Sequence, residues 1–360
     1  MALLEYKCPC CAGKLEFDGT IGKVKCPFCD TEFDVSTFAE LDSELDQTTQ
    51  ENLDWKSESN DVWGEEGSGL TSYTCSSCGA QIVVDETTAA SKCPYCDNPI
   101  VMTGNVKGDL KPDFIIPFKL DKAVAKQAFT AHISGKKLLP RAFKDSNHID
   151  EIKGVYVPYW IYSSKATASM RYKATKVSHR VEGDYDVKET EYYSVFRNGS
   201  LEFENVPVDG ASKMDDALMD SVEPFDFSEA VPFMTAYMAG YVADRYDQDS
   251  EYCATRANTR IKNSTADAFA STVADYSSVE IESENIGLSN GTARYALLPM
   301  WILNTKWNGE NYIFAMNGQT GKFVGNLPCD KSLYRKYTIG TGAAVAAIVA
   351  VLGVLLQFIK

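Results

Sequence analysis

Tyr6 to Val35 reads YKCPCCAGKLEFDGTIGKVKCPFCDTEFDV, and Tyr73 to Val101 reads YTCSSCGAQIVVDETTAASKCPYCDNPIV. Both stretches place an aromatic residue just ahead of a CxxC pair, then fourteen residues, then a second CxxC, so residues 5 to 35 and 73 to 101 are two copies of one repeat. A CxxC knuckle brings two sulfurs to one ion from a single tight turn. A second knuckle about one hairpin away completes a tetrahedron, the arrangement zinc accepts without a geometric preference of its own. Cys8, Cys11, Cys26 and Cys29 are therefore expected to form one zinc site, and Cys75, Cys78, Cys93 and Cys96 a second. Four thiolates leave no open coordination position, which makes both sites structural and not Lewis-acid centres. Ribbons of about thirty residues bury too little apolar surface to fold alone, and the metal supplies the missing stability. A redox CxxC of the thioredoxin kind needs one pair beside a βαβ unit; here four pairs come in matched twos.

The residue after a knuckle's second cysteine turns left-handed, which suits Gly79, is tolerable for Asp30 and Asp97, and disfavours Ala12, so Gly13 is expected to take the strain there. Cys10 lies inside the first knuckle as a spare thiol. With Cys253 and Cys329 it completes a set of eleven cysteines, eight of them in CxxC pairs, the pattern of metal binding in a reducing compartment. Met1 to Lys7 runs straight into the first ribbon without a basic, apolar and cleavage-site succession, so no secretory signal is expected. The net charge of -15 argues against nucleic acid as the main partner, because phosphate binding needs a basic face. Neither ribbon supplies one: residues 5 to 35 hold four lysines against six carboxylates, and residues 73 to 101 one against three.

The domain order expected from these features is a first ribbon over 1–35, an acidic flexible linker over 36–72, a second ribbon over 73–103, an α+β body over 112–330 and a membrane helix over 339–359. The linker has ten carboxylates and one lysine and ends in GEEGSG. Its start, STFAELDSEL, suits a short helix, while Trp55 and Trp63 either anchor the linker or dock a partner. Within the body, Asp121 can cap a helix through Ala128 and Phe129 to Ile133, with Gly135 ending it. Strands rich in Val, Tyr and Thr follow from Val155 to Val208, with Asn198-Gly199 as a hairpin turn. Helices are expected between about 213 and 272, then strands from Val279 with turns at Asn308-Gly309 and Asn317-Gly318. A weaker repeat pairs IPF (116 to 118) and VPYWI (157 to 161) with VPF (231 to 233) and LPMWI (298 to 302); two copies of a helix-and-sheet unit would explain it, as would similar strand chemistry.

Ile339 to Ile359 is 21 residues without a charge. At about 1.5 Å per residue it spans roughly 31 Å, a bilayer's hydrocarbon thickness. Lys331, Arg335 and Lys336 precede it and only Lys360 follows, so the positive-inside rule puts the body in the cytosol, the side that reduced cysteines also require. Gly342, Ala346 and Ala350 form a small-xxx-small stripe that suits self-association into a homo-oligomer.

Nothing marks an enzyme. The three histidines, His132, His148 and His179, lack ligand spacing, and no GxSxG or dinucleotide fingerprint occurs. NGQTGK (317 to 322) departs from a phosphate loop at Met316 and Phe323 and reads as a hairpin turn.

The cysteine frame, the markers IPFKLDKAVAKQAF, VYVPYWIY, LLPMWIL and NGQTGKFVG, and the terminal helix together resemble a family of bacterial membrane proteins with transcription-factor-IIB-type (TFIIB-type) zinc ribbons. Members of that family are labelled by analogy with the zinc region of the primosomal helicase, whose motor motifs this chain lacks. Some Gram-positive relatives look like membrane partners of a flotillin-like (SPFH) protein and of a phage-shock-protein-A-like (PspA-like) coat protein. What the resemblance implies is a tail-anchored, cytosol-facing scaffold that recruits membrane-protective proteins. The alternatives are a nucleic-acid-binding module tethered to the membrane, which the acidic ribbons oppose, and an enzyme whose site lies in the α+β body.

Overall fold

The computed structural model describes residues 8, 11, 13–36, 55–85, 92–106, 109–144, 149 and 151–358. In chain order the strands and helices are β1 (Glu16–Asp18), β2 (Lys23–Lys25), β3 (Glu32–Asp34), β4 (Lys56–Ser57), β5 (Leu70–Cys75), β6 (Gln81–Asp85), β7 (Ile100–Asn105), β8 (Phe114–Ile115), α1 (Lys122–Ile133), β9 (Lys153–Glu182), β10 (Tyr185–Asp209), α2 (Asp216–Val222), β11 (Val231–Pro232), β12 (Val242–Asp244), α3 (Ser250–Ser271), β13 (Ser278–Trp307), β14 (Glu310–Asn317), β15 (Phe323–Gly325) and α4 (Lys331–Phe358). Among the described residues the class is mixed α+β with four helices, as the sequence pattern predicts for the class.

Two compact units share the chain. The first comprises Met1–Glu58, Tyr162–Pro207 and Ala254–Ala293; the second comprises Ser59–Ile161, Val208–Cys253 and Arg294–Lys360. β9 shows why its two parts differ. From Val155 to Tyr162 every residue is buried, the mark of a strand covered on both faces, whereas from Ser163 to Ala174 buried and half-buried residues alternate, the mark of a strand with one covered face. In the first unit that covered face carries Ala168, Met170, Tyr172 and Ala174, which cluster with Phe269 of α3 and with Val273.

The second unit is built on the strand order β11-β8-β13-β9-β12-β6-β5-β7. Two sets of its contacts correspond. β8 runs parallel to β13 with Phe114 opposite Ala296 and Ile115 opposite Leu297, while β12 runs parallel to β9 with Val242 opposite Val155 and Ala243 opposite Tyr156. These pairs hold the same positions relative to VYVPYWI and ALLPMWI. The Gly210 N–H donates to the Pro158 carbonyl (2.9 Å), and the Gly318 N–H to the Pro299 carbonyl (2.8 Å). Trp160 Nε1 donates to Gln248 O and Trp301 Nε1 to Leu120 O, both at 2.9 Å. The next residues, Asp249 and Asp121, each accept from the backbone N–H three positions on and so start α3 and α1. In each case a short strand, a capped helix and a long strand follow in the chain, and each short strand pairs with the other set's long strand.

The expected marker for the second copy is corrected. VPF (231 to 233) is not the counterpart of IPF; it forms β11, antiparallel to β8, and the counterpart of Ile116 is Asp244, the residue after Ala243 in β12. An apolar and an acidic residue at one equivalent position hide the match from hydropathy.

Two turns behave differently from expectation. The β9–β10 hairpin closes at Gly183, whose φ is +65°, and Asn198-Gly199 lies inside β10. The chain does not reverse at Gly199, and a Cβ there would make only an ordinary contact with the Phe269 ring, at 3.5 Å. Asn308-Gly309 is a tight turn with both residues at positive φ, as expected. After β14 the chain does reverse into β15, pairing Met316 with Phe323, but the left-handed residue is Gly321; a Cβ on Gly318 would stand 2.6 Å from Phe118. Gly318→Ala is therefore expected to destabilise the second unit by about 1–3 kcal/mol, through displacement of Phe118 and Pro299, as read from the denaturant midpoint.

The linker expected over 36–72 is partly corrected. Residues 37–54, with the STFAELDSEL helix, lie outside the described residues, but 55–72 are built into the fold. Trp55 packs edge-on to Tyr162 (4.9 Å between centroids), covers Gly291 and donates through Nε1 to Asn258 Oδ1 at 3.0 Å. Trp63 is buried and meets Phe233 edge-on at 5.4 Å. Both tryptophans are anchors within their own unit, and the acidic residues around them are the exposed remainder.

α4 is one helix from Lys331 to Phe358, beginning eight residues before the apolar run, because Asp330 caps it by accepting from the Ser332 and Leu333 N–H groups. Over Lys331–Leu352 it is long and apolar enough to cross a membrane, and none of that stretch is buried.

Candidate metal centres

Each knuckle is set by one backbone bond. The N–H groups of Cys8, Cys26, Cys75 and Cys93 donate to the carbonyls of Gly13, Thr31, Ala80 and Asn98, five residues on, at 2.7 to 2.9 Å. Asp30, Gly79 and Asp97 then adopt φ of +57°, +75° and +58°, the left-handed turn their positions require. Ala12 and Cys10 lie outside the described residues. Gly13 does not take positive φ; it is small because the Phe28 ring lies where its Cβ would be, 2.5 Å away.

The knuckles pair as the spacing predicts. Cys8, Cys11, Cys26 and Cys29 form one cluster and Cys75, Cys78, Cys93 and Cys96 the other, with all four sulfurs of each within 4.8 Å of one another. Closest approaches are 3.5 Å (Cys8–Cys29), 3.4 Å (Cys11–Cys26), 3.5 Å (Cys75–Cys96) and 3.6 Å (Cys78–Cys93). A tetrahedron with metal–sulfur bonds of about 2.3 Å has edges of roughly 3.8 Å, so each cluster fits one ion held by four thiolates.

The two centres differ in surroundings. In the first, Cys11 and Cys29 are exposed, and the cluster rests on Leu15 with Val24 and Phe33 of a three-stranded sheet, β1-β2-β3. The Thr31 hydroxyl and backbone N–H beside Cys29 bring its thiol down to about 6. The second centre belongs to the main core of its unit, since Cys75, Cys93 and Cys96 cluster with Ile82, Val155 and Val157. Burial pushes Cys78 up to about 11 and Cys93 higher. At Cys75 burial also acts upward, but the N–H groups of Cys78 and Ser77 outweigh it and bring the thiol to about 7. Metal binding at the second centre therefore has to displace protons from Cys78 and Cys93.

Sequence reasoning missed how this ribbon joins the sheet. β6 pairs antiparallel with β12, placing Asp244 opposite Ile82, and the Tyr95 hydroxyl donates to Asp244 Oδ2 at 2.6 Å. Burial raises the Asp244 carboxyl to about 7, against the pull of its bonds from Tyr95 and the Arg245 N–H. The tyrosine in CPYC was the available signal, since a buried phenol needs a partner. Tyr95→Phe is expected to cost about 1–3 kcal/mol, because it strips a buried carboxyl of its donor, and to leave metal content unchanged. Urea unfolding with a parallel metal assay checks both.

The remaining polar residues form no reactive constellation among the described residues. His132 is half-buried against Phe323, His179 is exposed on the β9–β10 hairpin, and His148 lies outside the described residues. A cleft of about 700 Å³ is lined by His132, Asp215, Ser221 and Asn311 over Leu218 and Ile313. Asp215 is engaged in capping α2 and the Ser221 hydroxyl in bonding the Ala217 carbonyl. Of the spare cysteines, Cys253 is buried with Sγ 3.6 Å from the Asp209 carbonyl, and Cys329 is exposed.

A protein of Bacillus subtilis (strain 168), "Uncharacterized protein YdjG", is 36% identical to this chain over 231 residues, 64% of this chain and 68% of that protein. Two ribbon-like four-cysteine clusters on a mixed α+β fold with an apolar C-terminal helix define the class. The chain belongs to the same family as YdjG. No family model matches it. No solved structure matches it.

Proposed function

We propose that this protein is a single-pass, tail-anchored scaffold whose body faces the cytosol and whose two four-cysteine centres hold structural zinc. On this reading it recruits protein partners to the membrane, SPFH/flotillin-like and PspA-like proteins among them, in membrane-stress protection. On this reading it is not an enzyme, which the two four-thiolate sets, closed to substrate when metal-bound, and the engagement of Asp215 and Ser221 with their own helix support. The observation that carries the reading is α4, an apolar helix with no residue buried over Lys331–Leu352, joined to a body that closes its core without it. Lys331, Arg335 and Lys336 at its start favour the cytosolic side for that body.

The test is affinity purification of tagged full-length protein from detergent-solubilised native membranes, with zinc and co-purifying proteins quantified in one eluate. About two zinc ions per chain, with an SPFH-like or PspA-like protein, is expected. Salt-sensitive nucleic acid in their place would move the reading to a tethered nucleic-acid module.

A further inference from the structure

β10 is an edge strand: among the described residues it pairs with β9 alone. Two bonds at the far side of β9 fix which way β10 faces. The Ser277 N–H donates to the Thr175 carbonyl and the Val177 N–H to Ser277 Oγ, so odd-numbered residues of β9 turn toward β13 and even-numbered ones toward β10. The hairpin closes through the two-residue turn Gly183-Asp184, which makes Glu182 and Tyr185 its closing pair. Odd-numbered residues of β10 therefore bond β9, and even-numbered ones turn their N–H and C=O groups outward. The Phe196 carbonyl agrees, since the Arg197 guanidinium reaches it at 2.7 Å.

From Lys188 to Glu204 this open edge is roughly 50 Å long and holds no proline. Proteins blunt such edges with proline, bulges or a covering segment, because an open row of donors and acceptors pairs with a free strand. Here the left-handed Asn205 and Pro207 stand only at its end. The edge fits another extended strand, and its side chains say which one. A second β10, antiparallel and related by a two-fold axis at Phe196, sets Lys188 opposite Glu204 on each side of the axis. Both are exposed, and neither has an ion partner among the described residues. The same register sets Tyr193 opposite Gly199. Nothing within the chain requires that glycine, since its φ is not positive and a Cβ would make only an ordinary contact with Phe269. Glycine inside a strand marks the close approach of another group, and Tyr193, held edge-on to Tyr276 at 5.1 Å, is that group across the axis. The neighbouring registers fail. An axis at Val195 sets Asp186 against Glu204, and an axis at Arg197 sets that arginine against its own copy.

We infer that β10 is a dimerisation edge, joining two copies of the chain into one continuous antiparallel sheet across a two-fold axis at Phe196. Main-chain bonds hold the pairing, and the two Lys188–Glu204 contacts fix its register.

The test uses full-length protein in native membranes with benzoylphenylalanine replacing Tyr192, which this register sets opposite Ser200, and separately Tyr252, an exposed control on α3. Illumination is expected to give a covalent homodimer from position 192 alone, linking the tryptic peptides Glu189–Arg197 and Asn198–Lys213. In detergent, Lys188→Glu is expected to weaken dimerisation about tenfold, because two ion pairs become repulsive, and Lys188→Glu combined with Glu204→Lys to restore it. Ala346→Leu, in the small-residue stripe of α4, is expected to leave the adduct unchanged. No adduct above the Tyr252 control, an adduct only to a different protein or to another peptide, or its loss in Ala346→Leu each overturns the inference. So does a dimer indifferent to Lys188→Glu, or one that Glu204→Lys fails to restore.

Discussion

Cys93→Ser is expected to unfold the second unit, whereas Cys26→Ser leaves that unit folded and loosens only the first ribbon. The asymmetry comes from where each cluster sits. Structural zinc in comparable peptides contributes about 10–16 kcal/mol, as much as the whole net stability of a typical domain. In the second ribbon that contribution is spliced into the main sheet: Cys93 shares a core cluster with Val155 and Val157, β6 continues through β12 into β9, and Tyr95 holds Asp244. Once the knuckle opens, Asp244 loses its donor and β12 its antiparallel neighbour. Among the described residues the first cluster packs with Leu15, Val24 and Phe33, so its loss frees a short three-stranded sheet. Limited proteolysis separates the cases. Cys26→Ser should be cut within residues 13–36 with the rest protected, and Cys93→Ser should be degraded throughout the second unit. A strong chelator should follow the same order and strip the exposed Cys11–Cys29 side first. Equal protease sensitivity in the two variants would mean that the second ribbon is not integral to its unit.

The local chemistry was the legible part of this protein. All eight cysteines fall into the two clusters their spacing predicts, the three knuckles whose following residue is described show it left-handed, and Asp121 starts α1. These features depend on residues within about thirty positions of one another. Long-range pairing was harder to see. Nothing local to Asn198-Gly199 says that the chain stays extended there, because β10 runs on through it in its pairing with β9 and the reversal falls at Gly183. VPYWI and LPMWI do stand at corresponding places, on β9 and β13. VPF does not correspond to IPF, because the strand that pairs with β9 as β8 pairs with β13 is Val242–Asp244, whose residues share no hydropathy pattern with IPF. Trp55 and Trp63 hinted that part of the acidic stretch is folded, but only a contact such as Trp55 with Tyr162 shows where an aromatic in a polar segment goes.

Deleting residues 331–360 is expected to move the protein from the membrane to the soluble fraction without changing the stability of either unit. No residue of Lys331–Leu352 is buried, and Ile339, Val345, Ile348 and Val349 are each at least 59% exposed, so the body gives up almost no packing when the helix goes. In water those side chains would form an apolar surface all round a helix of 28 residues, about 42 Å long, which a soluble monomer does not tolerate. In a bilayer each is satisfied by lipid, and the helix meets its backbone hydrogen bonds internally. The polar first turns suit the proposed anchor, since with the uncharged run in a bilayer Lys331, Arg335 and Lys336 would meet anionic headgroups. Fractionation of full-length and truncated protein, with thermal unfolding of the soluble form in parallel, checks both halves of the expectation. A truncated chain that aggregates, or whose second unit melts more than a few degrees lower, would show that the helix packs on the body and is not an anchor. Retention of the truncated chain on membranes would point to a second attachment, through the ribbons or a membrane-bound partner.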